Sequence, residues 1–420
     1  MNRIRPSGKI EIMSPVGSFE SLTAAIQGGA GSVYFGVGHL NMRSRSTINF
    51  TLEDLHAISS ICRKQGIRTY LTLNTVIFDE ELEIMRRITD AAKQAGIDAI
   101  IASDHAVIQY ANQAGMEVHI STQANITNIE AVRYFSRYAD VMVTARELAL
   151  RQVKAITEAI EREQITGPSG RLVRIEVFIH GALCMAVSGK CYLSLDNMNS
   201  SANRGACLQL CRRPYRVFDR DGEVELVIDN EYIMSPKDLK TIDFLDKILD
   251  AGVRILKIEG RGRSPEYVKT VTRVYREAVD AICNGTFSEE KLKTLNSELK
   301  TVYNRGFWDG FYLGRKTGEW SDRHGSKATR KKVYVGKIMN YYAKAGVAEI
   351  KVEAHPVNVG DDILILGPTT GVMEDKVREI WKDDRQVDSA GQGDLITIPV
   401  GTFLRLSDKL YKLEWDGVPV

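Results

Sequence analysis

The chain has 420 residues, 44% of them hydrophobic and 26% charged, and a formal charge of +2. These values exclude a disordered protein and leave no bulk basic field, so any footprint for a polyanion must be local. No apolar run is long enough to span a bilayer, and the opening MNRIRPSGKIEI lacks an apolar leader core. The expectation is a cytoplasmic protein with no membrane partner, whose six cysteines stay reduced as ligands, catalysts or core residues.

Short β-branched runs predict strands over 9–13, 32–37, 68–73, 98–102, 117–121, 140–144, 174–179 and 254–259. Helical periodicity covers 51–65, with Leu52, Leu55, Ile58 and Cys62 on one face, and 80–95, with Leu82, Met85, Ile88 and Ala92. Gly66, Gly96, Gly115 and Gly252 stand where helices would end before the next strand. Eight strands alternating with helices predict an α/β protein with a TIM-type (β/α)8 barrel over 1–314. No GxGxxG follows the first strand, which argues against a dinucleotide-binding sheet.

After the seventh strand the alternation breaks. Residues 181–235 read as an insertion holding four of the six cysteines and a hairpin of 215–218 with 224–228, before a helix over 236–250. Helices over 265–283 and 289–302 follow, then a basic linker over 315–332. Trp320 and His324 in that linker suit RNA contact, and a solvated connection is the plainer reading. Residues 333–420 carry short strands at 333–338, 348–352 and 363–366 and read as a small C-terminal β-barrel domain.

Cys184 and Cys191 are separated by six residues, Cys207 and Cys211 by three. Four thiols in one Gly-containing connection point to a metal site rather than to packing. Zinc ligand pairs are closely spaced, which suits the second pair and not the first, whereas iron–sulfur ligation tolerates wider gaps; spacing leaves both open. Arg204, Arg212 and Arg213 flank the second pair and would offset thiolate charge. Cys62 and Cys283 lie on apolar helix faces and read as core.

In such a barrel the loop after the seventh strand lies on the catalytic face. The other strand ends bring His180, Glu259, Asn74 and Gln123 to that face as candidate catalytic residues, and Arg43, Arg45, Arg146 and Arg261 as candidate substrate-binding residues. Each has a plainer reading, as a core histidine, a structural pair or a surface charge; the group carries the inference. Several guanidinium forks on one face suit an anion, either a dicarboxylate metabolite or an RNA backbone.

The stretch EVFIHGALCMAVSGKCYLS, 176–194, resembles the signature of the peptidase U32 family. Ser14-Pro15, Tyr34-Phe35-Gly36, Asn41, Asn49-Phe50, Ser121-Thr122-Gln123, Arg146-Glu147-Leu148 and Lys257 to Arg261 resemble further family motifs. The family includes chains first assigned as collagenase-type peptidases and others that resemble oxygen-independent hydroxylases. The resemblance implies a 4Fe–4S cluster on Cys184, Cys191, Cys207 and Cys211, which tips the metal away from zinc. By length and C-terminal region the chain is most similar to the members that convert the tRNA wobble uridine to 5-hydroxyuridine. That implies tRNA as partner, prephenate as oxygen-donating dicarboxylate, and a paralogous family member as a further partner. The alternatives are hydroxylation of rRNA or of a quinone precursor, a peptidase using His180 and Cys184, and a non-catalytic RNA-binding subunit.

Overall fold

The computed structural model describes residues 10–45, 49–216, 232–314, 318–323 and 325–415. Seven strands lead the chain: β1 (Glu11–Pro15), β2 (Ser32–Gly36), β3 (Arg68–Leu73), β4 (Ala99–Ala102), β5 (Glu117–Ile120), β6 (Val141–Val143) and β7 (Arg174–Gly181). Each is parallel to the next. After a short strand β8 (Asp238–Lys240), the strand β9 (Ile255–Ile258) pairs in parallel with both β7 and β1 and closes an eight-stranded barrel. The expected TIM-type barrel is therefore present.

Helices cover it because their apolar stripes have nowhere else to go. Between β2 and β3, the helix Asp54–Lys64 buries Leu55, Ile58 and Cys62 against the strands. Next, the helix Leu82–Ala95 buries Met85, Ile88 and Ala92 and stops at Gly96, whose φ of 74° frees its N–H to cap Ala92 and Lys93. The long helix Pro265–Asn284 starts with proline in its first turn and ends at Gly285 with φ 72°.

Two departures shape the mouth. The predicted helix over 236–250 is instead the strand β8, a 3-10 turn at Ile242–Phe244 and a short helix, Leu245–Asp250. Thr241 N donates to Ile179 O, and Asp238 N to Gly306 O, so pairing with the end of β7 and with β10 (Phe307–Trp308) outcompetes the helix. The insertion itself is irregular, with one short helix, Leu193–Met198, and 3-10 turns at Ala202–Arg204 and Leu210–Arg212. Beyond Arg216 the expected hairpin lies outside the described residues.

The barrel interior is charged at its N-terminal end. Arg68 pairs with Glu117 at 2.8 Å, Arg174 lies 3.7 Å from Glu11, and Tyr70 Oη donates to Glu11 at 2.6 Å. Above them sits an apolar layer that includes Met13, Tyr70, Ala99 and Ile255. Glu176 and Lys257 form a buried pair at 2.7 Å. The floor of the mouth is thus rigid and polar.

Residues from Arg330 onward form an antiparallel, β-rich region with its own core of Val335, Ile338, Ile350, Ile365, Ile396 and Leu410. Its main sheet has eight strands, and its two end strands are not paired to each other among the described residues. It docks on the barrel through Gln27, which donates to Thr370 O at 2.9 Å and accepts from Val372 N at 3.0 Å. Lys269 adds a bond to Val372 O. Described residues 318–323 run along the barrel rim, where Ser321 N donates to Ser235 O at 2.7 Å. Among the described residues no helix is long and apolar enough to cross a membrane.

Candidate active site

A cavity of about 530 Å³ opens at the C-terminal ends of the strands. Tyr34, Thr72, Ile101, Phe178 and Lys257 reach into it from β2, β3, β4, β7 and β9. Asn74, Gln123, Arg43, Arg146, Glu259 and Arg261 line it from the segments after the strands, and Cys184, Cys191, Cys207 and Cys211 from the insertion. Its size suits a small-molecule site.

Glu259 is the electrostatic centre. Arg43 Nη2 donates to its Oε1 at 2.6 Å, and Tyr34 Oη lies 3.4 Å from its Oε2. Burial alone would push the carboxyl up, but Arg43, Arg146 and Arg261 outweigh it and hold the group at about 2. Glu259 is therefore an anion at every physiological pH. The same contact raises the Arg43 guanidinium further, with Cys184 and Cys207 contributing. Arg261 is buried; its Nη1 donates to Thr72 Oγ1 at 2.8 Å and to Asn41 Oδ1 at 3.0 Å, and burial draws it down to about 10. Arg146 lies over the Phe178 ring at 4.2 Å, and its buried Nε has no partner among the described residues.

The amides form a second group. Asn74 Nδ2 donates to Ser121 Oγ at 3.3 Å and to Gln123 Oε1 at 3.4 Å, while Ser121 Oγ donates to Gln123. Gly189 of the cysteine segment packs directly on Gln123; a Cβ there would lie 3.0 Å from that side chain. Asn125 ties the same segment down by donating to Ser188 O at 3.2 Å.

None of the four insertion cysteines is in a disulfide; Cys184 is exposed and the other three are half-buried. Burial pushes the Cys211 thiol up, Arg212 opposes this, and the fields of Cys184, Cys207 and Cys191 reinforce it. The Cys211 thiol thus feels the other three. Among the described residues no three His, Cys, Asp or Glu side chains stand as ligands around a single metal ion. The donor chemistry, four thiols from one segment with no imidazole among them, fits an iron–sulfur cluster and also fits zinc.

The structure brings Glu259, Asn74, Gln123, Arg43, Arg146 and Arg261 into one cavity with the cysteines, and separates two residues from it. His180 is buried beside Tyr267, Tyr275 and Phe307, with Nδ1 at 3.3 Å from Tyr275 Oη, and does not line the cavity. Burial, then Lys240 and Arg263, lower its pKa to about 3, so the ring is neutral. The cause is a register shift: between Phe178 and His180 the pairing with β9 skips, so His180 lies opposite Ile258 on the outer face instead of opposite Glu259. Arg45 is exposed and lines a neighbouring depression.

Arg204 does not balance thiolates as expected. It grips Glu81 with two bonds, of 3.1 and 2.5 Å, and covers the Phe78 ring. Arg212 does face the thiols while donating to Leu183 O at 2.5 Å. Cys62 is fully buried and its thiol is pushed up to about 12 by burial; Cys283 packs at the core's edge. Tyr34, Thr72, Phe178 and Lys257 were not singled out as site residues. Strict alternation along each strand, placing Lys257 on the face of Glu259, was the signal available.

A collagenase of Porphyromonas gingivalis is 59% identical over 404 residues, covering 96% of this chain and 98% of that protein. A tRNA hydroxylation protein of Bacillus subtilis is 30% identical over 392 residues, covering 91% of this chain and 89% of its own. A 23S rRNA 5-hydroxycytidine synthase of Escherichia coli is 34% identical over 317 residues, covering 74% of this chain and 46% of its own. The description of peptidase family U32 matches residues 17–322. A match over that span, which holds seven of the eight barrel strands and all four insertion cysteines, makes this chain a member of the peptidase U32 family.

Proposed function

We propose that this chain is an oxygen-independent RNA hydroxylase that converts the tRNA wobble uridine to 5-hydroxyuridine, taking the hydroxyl oxygen from prephenate. The observation that carries the reading is the convergence of four thiols, three arginines and one permanently ionised carboxylate on a single cavity. Relatives named for tRNA and rRNA hydroxylation, at 30% and 34% identity, support the substrate class.

In this reading Cys184, Cys191, Cys207 and Cys211 hold a 4Fe–4S cluster, which when bound supplies Lewis-acidic or redox-active iron to the cavity. Arg43 and Arg146 meet the carboxylates of the donor; Glu259 keeps the Arg43 guanidinium in place, and the Phe178 ring supports that of Arg146. The amides of Asn74 and Gln123 offer donors and acceptors that match the edge of a uracil. Arg261, fixed between Thr72 and Asn41, positions the Glu259 side of the wall.

A peptidase reading draws support from the collagenase at 59% identity. It needs a free thiolate next to a base. His180 is walled off among aromatic rings and is absent from the cavity that Cys184 lines.

The test is reconstitution. Protein purified without oxygen, mixed with unmodified tRNA and prephenate, should yield 5-hydroxyuridine by nucleoside mass spectrometry and contain iron and sulfide. Stoichiometric zinc without iron, or unmodified tRNA from an iron-loaded sample, would refute it. Peptidase activity that disappears in a Cys184→Ala variant would favour the rival.

A further inference from the structure

Beside the barrel-mouth cavity, and sharing Cys207 with it, lies a second depression of about 420 Å³. Arg45, Arg212, Arg213, Arg305 and Arg323 line it, and among the described residues no carboxylate does. These five come from four separate parts of the chain, and backbone bonds fix their placement. Arg45 N donates to Gly205 O at 3.3 Å, Ser321 N to Ser235 O at 2.7 Å, and Lys327 N to Asn304 O at 2.7 Å. The basic segment expected as a linker is therefore held against the rim and delivers Arg323 to the groove.

Among the described residues, internal partners do not account for this charge. Arg212 is committed to Ser235 and to the carbonyls of Pro236 and Leu183, all neutral acceptors, and it is drawn below its ordinary range by burial and by Arg305. Arg305 is buried 3.3 Å from Asp238, a carboxylate that also has Arg263 at 4.0 Å. Arg45 and Arg213 are exposed and make no side-chain hydrogen bond or ion pair among the described residues. The thiols explain only Arg212, whose field reaches Cys211. Like charges gathered in a concave, partly desolvated place repel one another until an anion enters.

We propose that this groove binds the phosphodiester backbone of RNA beside the nucleotide whose base enters the cavity. Arg45, Arg213 and Arg323 are the exposed phosphate contacts, and Arg212 and Arg305 form the floor. The assignment rests on the RNA-hydroxylase reading above, and it adds the track by which a strand would approach. The wall shared at Cys207 keeps track and reaction site contiguous.

Fluorescence anisotropy of the full chain with a labelled tRNA anticodon stem-loop, across a salt series, tests it. The Arg45→Ala/Arg213→Ala/Arg323→Ala variant should bind at least about tenfold more weakly, with the slope of log affinity against log salt reduced by about 2, about 0.7 per lost single-strand phosphate contact. A control with equal charge removed from the C-terminal region, Lys344→Ala/Lys376→Ala/Arg378→Ala, should match the wild type. Equal affinity and slope in the groove variant and the wild type, or an equal loss in the control, overturns the groove assignment while leaving the RNA reading intact. A wild type that binds no stem-loop at any salt overturns both.

Discussion

Arg43 and Glu259, 216 residues apart, meet at 2.6 Å over the barrel mouth. The loop after β2 reaches across β1 to the end of β9, so one ion pair staples the two ends of the barrel's closing seam. Removing Glu259 leaves Arg43, Arg146 and Arg261 gathered without that carboxylate, and removing Arg43 leaves Glu259 to the fields of Arg146 and Arg261 alone.

The Glu259 carboxyl, ordinarily near 4.5, is held at about 2 in the folded protein. A depressed folded value means the stabilisation is complete above the unfolded value and is lost as pH falls through the folded one. As pH falls from about 4.5 to about 2 the wild type should lose about 3 kcal/mol more stability than Glu259→Gln, which keeps the other depressed carboxylates such as Glu117 but has nothing at 259 to titrate. Urea unfolding at stepped pH measures this. Parallel acid profiles for the two proteins would contradict it.

Gly205 couples the arginine loop to the cysteine segment. Its φ is +81°, and a Cβ there would lie 2.3 Å from both Asn41 O and Ser44 Oγ. Gly205→Ala should cost about 2 kcal/mol or more and lower metal retention. Gly38→Ala, at φ +55° in open space, should cost about 1 kcal/mol and leave metal content alone. Thermal unfolding and metal analysis of the pair separate a local backbone penalty from a disrupted contact.

The cysteines should divide into two classes. Serine at 184, 191, 207 or 211 should abolish or sharply reduce bound metal. Cys62→Ala should keep it and cost about 1 kcal/mol for the missing sulfur. In metal-free native protein iodoacetamide should label Cys184 and spare Cys62, whose thiol is buried and raised to about 12. Rapid labelling of Cys62, read by peptide mass spectrometry, would contradict the placement.

His180 stays neutral above about pH 3. His180→Asn should lower stability by about 1–2 kcal/mol through lost packing against Tyr275 and Phe307, and should leave the pH dependence of activity between about 5 and 9 in place. Loss of a limb with its midpoint near 6.5 would instead make His180 a titrating catalytic group.

The barrel was legible in the sequence because its strands are buried on both faces, and such strands read as continuous β-branched runs: β3 spans 68–73 as expected. The polar residues just after the strands were legible by position, and most of them share the cavity. His180 escaped because a one-residue register skip moves it to the outer face, and no local pattern announces that skip. Arg45 sits two residues beyond Arg43 yet faces another depression, because a loop follows no fixed period. The 236–250 segment has a helical pattern, but its first residues pair with the end of β7, a long-range competition that periodicity does not register. Arg204 looked like a counter-charge to thiolates until its partner Glu81, 123 residues earlier, was placed beside it.

The central claim is tested most directly by mass spectrometry of tRNA nucleosides from cells lacking this gene, complemented by the wild type or by Cys184→Ser. The account predicts that 5-hydroxyuridine and its derivatives disappear on deletion, return with the wild type and stay absent with the variant. Undiminished 5-hydroxyuridine in the deletion strain would contradict it.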